Sequence, residues 1–159
     1  MNENEKLINH FYSSFQRKDI AAMQTCYADD ATFNDAIFSN LTADEVKAMW
    51  AMLIKKGRDM TLTFDGIQAN STSGSVRWIA TYTFSLTGNK VVNVIDAKFT
   101  FKNGKILTHT DSFSFYRWAS QALGITGKLL GWTPLVKNKI RKTAASNLDI
   151  YIAAKAQTL

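Results

Sequence analysis

Apolar residues Leu7, Ile8, Phe11 and Phe15 recur at helical spacing, which predicts an amphipathic helix ending near Lys18. Asp19 is placed to cap a second helix carrying Ala22, Met23, Cys26 and Tyr27, closed by Ala28-Asp29-Asp30. Ala31-Thr32-Phe33 then reads as a short extended segment. Thr42-Ala43-Asp44-Glu45 is a capping-box pattern, and Val46, Met49, Trp50 and Leu53 supply the buried stripe of the helix behind it. From Met60 the period changes to two. The stretches Met60–Asn70, Ser75–Thr87, Lys90–Lys102 and Lys105–Arg117 are rich in β-branched and aromatic residues and read as four strands. Ser71-Thr72-Ser73-Gly74, Thr87-Gly88-Asn89 and Asn103-Gly104 supply the turns between them. Thr133-Pro134 starts a last helix, with Val136, Ile140, Ala144, Leu148 and Ile152 along one face.

Loops this short favour antiparallel neighbours, so the strands are expected to form a meander. The fold class is α+β: a curved, cone-shaped antiparallel sheet with the N-terminal helices on its concave face. One domain is expected to span 1–159, with 117–159 as its helical extension. The curve encloses a space that bulky side chains either fill or line. Phe33, Trp50, Trp78, Tyr82, Phe113 and Phe115 are the aromatic residues expected to face it as ligand contacts.

Composition narrows the class. Of 159 residues, 46% are hydrophobic and 20% charged, as in a globular chain and unlike a disordered one. A single cysteine excludes a disulfide framework and a cysteine zinc cage, and no metal or other cofactor is expected. No apolar run reaches the ~20 residues needed to cross a bilayer. The polar, acidic start is unlike a secretory leader, so a cytoplasmic location is expected. The net charge is +6, and it is not spread evenly. Residues 1–116 are neutral; beyond them stand seven basic side chains, from Arg117 to Lys155, against Asp149 alone. No nucleic-acid-binding motif accompanies this charge, so nucleic acid is not an expected partner. A weak contact with an anionic membrane through this basic segment is the remaining expectation, with Trp118, Leu123, Leu129, Leu130 and Trp132 as apolar contacts.

Polar groups stranded among apolar ones are the informative residues. On the last strand Leu107, His109, Asp111, Phe113 and Phe115 share one parity. His109 and Asp111 therefore stand two apart on an apolar face, where a bare polar group is costly. Their presence reads either as acid–base chemistry or as a buried pair satisfying itself. Asp96 shares parity with Lys98, Thr100 and Lys102, a polar face, unless a bulge turns it inward.

The order of elements, together with Phe11-Tyr12-Ser13-Ser14-Phe15 and Tyr27-Ala28-Asp29-Asp30-Ala31-Thr32-Phe33-Asn34-Asp35, resembles the nuclear-transport-factor-two-like superfamily. Within it the chain is similar to the branch of SnoaL-like polyketide cyclases and ketosteroid isomerases. The resemblance implies an apolar cavity and a homodimer formed through the sheet. It places Asp35 where isomerases carry a catalytic base, although Ala36 stands where their pattern has proline. It puts Phe11 at the position of their oxyanion-hole tyrosine, leaving Tyr12 beside it as an alternative donor. It matches either Asp96 or Ala97 to their protonated aspartate. Asp111 is the best match to the cavity acid of SnoaL-like cyclases. Arg77 lacks the aspartate spacing of the superfamily's epoxide hydrolases, and Ser114 stands where their last-strand aspartate is expected.

The resulting expectation is a cavity that binds a small, largely apolar carbonyl compound. Its chemistry would be cofactor-free proton transfer, as in an isomerase or aldol-type cyclase. Asp35, Asp111 and His109 are the catalytic candidates, and Tyr12 and Asp96 are polar ligand contacts. The alternative is a non-catalytic, homodimeric binding or interaction module.

Overall fold

The computed structural model describes residues 1–158. Helix α1 (Glu3–Gln16) starts with a reciprocal cap: Asn2 Oδ1 accepts from the Glu5 amide while the Glu5 carboxylate accepts from the Asn2 amide. Its apolar face buries Ile8, Phe11, Tyr12 and Phe15. A short α2 (Ile20–Thr25), capped by Asp19, leads into β1 (Tyr27–Asn34). β2 (Leu41–Thr42) is followed by α3 (Ala43–Lys56), whose Thr42/Glu45 capping box forms as the sequence predicts. The strands β3 (Thr61–Ala69), β4 (Ser73–Thr83), β5 (Lys90–Lys102) and β6 (Lys105–Ser112) make an antiparallel meander.

The six strands lie in the order β2-β1-β6-β5-β4-β3, in a curved, unclosed sheet. β1 runs parallel to β6, with Phe33 beside His109. This pairing makes the Ala28–Asp30 stretch strand rather than the end of a helix, as its spacing had suggested. The β5–β6 turn is Asn103-Gly104, both in the left-handed region (φ 51° and 73°) that a two-residue hairpin requires. β5 shows the two faces plainly. Val91, Asn93, Ile95, Ala97 and Phe99 are buried on the inner face, whereas Val92, Val94, Asp96, Lys98 and Thr100 face out.

The last strand is shorter than its alternation predicts. It stops at Ser112, and Ser114 Oγ accepts from the Arg117 amide to cap helix α4 (Phe115–Ala122). A serine that satisfies a helix terminus competes with continued strand pairing, and here the cap wins. Phe115 and Arg117 therefore belong to a helix. α5 (Ile125–Leu130) and the long α6 (Pro134–Gln157) complete the extension. Phe115, Trp118, Ala119 and Ala122 form a second apolar cluster with Val91. Half-buried Ile37, Tyr82 and Phe113 touch both this cluster and the main core. Along α6 the predicted stripe is the docked one, with Leu148 fully buried and Val136, Ile140, Ala144 and Ile152 half-buried. Arg141 Nε donates to the Ala36 carbonyl at 2.9 Å, tying α6 to the loop after β1. Among the described residues no helix is long and apolar enough to cross a membrane.

Candidate functional site

The inner face of β6 carries His109 and Asp111 into the aromatic core, where His109 is fully enclosed and Asp111 is 4% exposed. Rings of Phe11, Phe33, Trp50 and Phe99 surround the imidazole at centroid distances of 4.5–6.0 Å. Each polar atom in this setting needs a partner, and the partners form a chain. Trp50 Nε1 donates to Tyr27 Oη at 2.8 Å, Tyr27 Oη lies 2.8 Å from His109 Nδ1, and His109 Nε2 lies 3.0 Å from Asp111 Oδ1. Trp78 Nε1 reaches the same Asp111 oxygen at 3.5 Å.

Indole chemistry fixes the first donor of this chain, and full use of every donor and acceptor selects the rest. An indole nitrogen only donates, so Tyr27 Oη accepts from Trp50 and is free to give its own proton to His109 Nδ1. Nδ1 is then the acceptor nitrogen and Nε2 carries the hydrogen that goes to Asp111 Oδ1. The neutral Nε2–H tautomer uses every donor and acceptor in the row. Both donors converge on Oδ1, and Oδ2 has no protein partner.

Tyr12 completes the arrangement. Among the described residues its hydroxyl is the one fully buried side-chain polar atom without a hydrogen-bond partner. Its ring lies 5.8 Å from that of Trp78, the residue that donates to Asp111. Burial raises the Tyr12 pKa well above the ordinary range, and the Asp111 charge adds to the effect, so the hydroxyl stays protonated and able to donate.

Asp35 approaches from the loop after β1. Its Oδ1 accepts from the Ile37 and Phe38 amides at 2.7 and 2.6 Å, an Asx turn that fixes the side chain. Burial, with a smaller push from the Asp111 charge, lifts its carboxyl to about 6 against the pull of those two amides and of His109. The turn reading of Asp35 is met by these two bonds. Tyr82 lies close enough to sense the Asp35 charge, and its hydroxyl accepts from Trp118 Nε1 at 2.7 Å. This bond joins the site to α4.

Two expected positions need correction. Asp96 does not face inward: it lies on the outer face of β5 opposite Arg77, which grips it through Nε at 2.7 Å and Nη2 at 3.1 Å. The sheet has no bulge there, so simple alternation holds and the inward residue is Ala97. Phe115 is not a β6 residue on the concave face but part of the α4 cluster. Phe33, Trp50 and Trp78 stand in the core around the His109–Asp111 pair, and Phe113 bridges the two apolar clusters. His109 is enclosed, with both nitrogens engaged, so it holds Asp111 rather than meeting a ligand.

Two residues escaped the sequence reading. Tyr27, whose spacing suggests a helix, instead begins β1, and no local pattern announces its hydrogen bonds to Trp50 and His109. Asn93 is different: it shares parity with apolar Val91 and Ile95 and is buried, with no hydrogen bond to its carboxamide. An amide on an apolar parity was a readable signal.

Two of the surface clefts lie away from these groups. One of about 630 Å³ lies between α6 and the β1–β2 loop and includes Phe38, Arg141 and Leu148. The other, about 510 Å³, includes Gln16, Arg58 and Leu62.

A family model described as the SnoaL-like domain matches residues 8–109. The chain belongs to this family. The matched region of this SnoaL-like protein stops two residues short of Asp111 and leaves α4–α6 outside it. No curated protein sequence matches the chain. Solved structures do. A hypothetical protein with a ketosteroid isomerase-like fold from Catenulispora acidiphila is 15% identical, with a TM-score of 0.66 over 80% of this chain and 97% of its own. IdmH from Streptomyces antibioticus, a candidate polyketide cyclase, is 19% identical, with a TM-score of 0.63 over 76% and 97%. An M. tuberculosis epoxide hydrolase of the LEH-like type is 16% identical, with a TM-score of 0.61 over 84% and 95%. At these identities the likeness is one of fold.

Proposed function

We propose that this SnoaL-like protein binds a small, largely apolar carbonyl compound beside Asp111 and moves a proton on the carbon next to the carbonyl. The observation that carries the reading is a buried, unpartnered Tyr12 hydroxyl near enough to sense the charge of Asp111, whose Oδ2 has no protein partner. Oδ2 takes the α-proton, and the electron pair of the broken C–H bond moves to the carbonyl oxygen. Tyr12 O–H donates to that oxygen as its negative charge grows, in a dry site where such a bond is strong. Returning the proton to another carbon completes an isomerisation. Attack of the enolate carbon on a second carbonyl, whose alkoxide then takes the proton held by Asp111, completes an aldol-type cyclisation. Asp35, poised to exchange a proton near pH 6, is the second acid–base group. His109, Tyr27 and Trp50 act as positioning residues through Oδ1. The fold likeness to a candidate polyketide cyclase supports this class of chemistry.

The aromatic packing around Asp111 favours a second reading, a closed module that binds no small molecule there. Incubation with a panel of small cyclic ketones in D2O, followed by proton NMR, separates the two. The enzyme reading predicts α-hydrogen exchange above the buffer rate. Asp111→Asn should lower it about 10²–10⁴-fold, the usual worth of a general base. Tyr12→Phe should lower it about 10²–10³-fold, as for an oxyanion donor. Asparagine retains an Oδ1 acceptor for His109 and Trp78, so the variant keeps its local structure. No exchange with any ketone, or exchange indifferent to both changes, would leave the module.

A further inference from the structure

Helix α5 is held tightly from one side. Gly127 is buried, and a Cβ there would lie 1.8 Å from the Ala119 carbonyl oxygen of α4, so the two backbones are in contact. Residues two positions to either side of Gly127 are turned ~200° away from that contact. They are Ile125 and Leu129, and both are exposed, Ile125 by 75%. The chain then presents Leu130, Trp132 (72% exposed) and Leu135 (79% exposed) in succession. Trp132 Nε1 donates to the Leu129 carbonyl at 3.0 Å, which lays the indole against the end of α5. Five large apolar side chains thus project from the α5–α6 corner. Trp118 and Leu123, which the sequence had also suggested for this surface, instead pack with the second cluster.

The charge around the corner has one sign. No aspartate or glutamate occurs between Asp111 and Asp149. Lys128 is exposed within α5, and Lys139 and Lys142 follow Leu135 at helical spacing on an exposed line of α6. We infer that the α5–α6 corner is a membrane-docking element that seats Ile125, Leu129, Trp132 and Leu135 among the lipids of an anionic bilayer surface. Lys128, Lys139 and Lys142 face the headgroups. Interfacial tryptophan with flanking lysine is the composition such a surface selects, and the positive field gives the partner's sign. This inference does not depend on the chemistry proposed for Asp111.

The test is co-sedimentation of the full chain with vesicles of phosphatidylcholine alone and of phosphatidylcholine with phosphatidylserine. Binding to the mixed vesicles is expected, weakened by salt. Lys128→Gln with Lys139→Gln should lower partitioning about 25-fold, near fivefold for each charge. Leu129→Ser with Trp132→Ser should lower it at least about tenfold. Trp50, Trp78 and Trp118 are buried, so a blue shift of tryptophan emission on vesicles reports Trp132, and Trp132→Phe should remove it. Equal binding to both vesicle types, binding unaffected by either double variant, or no binding would overturn the proposal. So would a concentration-dependent dimer in lipid-free sedimentation velocity that Leu129→Ser with Trp132→Ser abolishes, since the corner would then serve a second copy of the chain.

Discussion

Asp35→Asn separates charge from shape in the loop after β1. Asparagine keeps an Oδ1 that accepts from the Ile37 and Phe38 amides, so the Asx turn survives. Only the titrating carboxyl is lost. In the folded protein burial lifts that carboxyl from 3.8 to about 6, against the opposing amide bonds. Between those two values the native state holds more protons than the unfolded chain. The wild-type protein therefore loses stability as pH rises from 3.8 to about 6, and carries the full penalty above that range. A shift of roughly two units corresponds to about 3 kcal/mol at most. Asp35 is only partly buried by surface area, and solvent screening reduces this to about 1–2 kcal/mol. Urea denaturation of both proteins at intervals from pH 4 to pH 8 measures it. The two should be nearly equal near pH 4, with asparagine the more stable by about 1–2 kcal/mol at neutral pH and above. A difference that does not change with pH, or an aspartate form that gains on asparagine as pH rises, would refute the placement of Asp35 in a desolvated, carboxylate-facing position.

Other substitutions probe other parts of the structure. Tyr12→Phe removes a buried hydroxyl with no partner, so thermal or urea unfolding should show it stabilised by about 1 kcal/mol even as exchange chemistry is lost. A clear destabilisation would mean the hydroxyl is already satisfied. Tyr27→Phe leaves both Trp50 Nε1 and His109 Nδ1 unpaired in the core and should cost about 2–4 kcal/mol in urea unfolding. Gly127→Ala drives a methyl group into the Ala119 carbonyl, so hydrogen exchange should rise across α5 and the second apolar cluster while β1 and β6 stay protected.

Much of this architecture was readable because its signals are local. The capping box at Thr42, the period-two alternation of β5 and the turn at Asn103-Gly104 each act within a few residues, and each appears where the pattern puts it. The inward orientation of His109 and Asp111 followed from the same alternation. What was missed depends on contacts between distant segments. Nothing near Tyr27 reveals that it will pair beside β6 and bond a histidine 82 positions later. The end of β6 was misjudged because Phe113 and Phe115 keep the strand parity, while the Ser114 cap decides for helix. Asp96 shows the opposite hazard: its alternation pointed outward, and family likeness alone suggested an inward role.

A crystal structure grown with 2-naphthol, a planar apolar enol mimic, tests the central claim most directly. The account predicts the naphthol oxygen within hydrogen-bonding distance of both Tyr12 Oη and Asp111 Oδ2, with the ring against Trp78. Naphthol found only in the outer clefts, or no binding at saturation with the Tyr12 hydroxyl still enclosed, would contradict it.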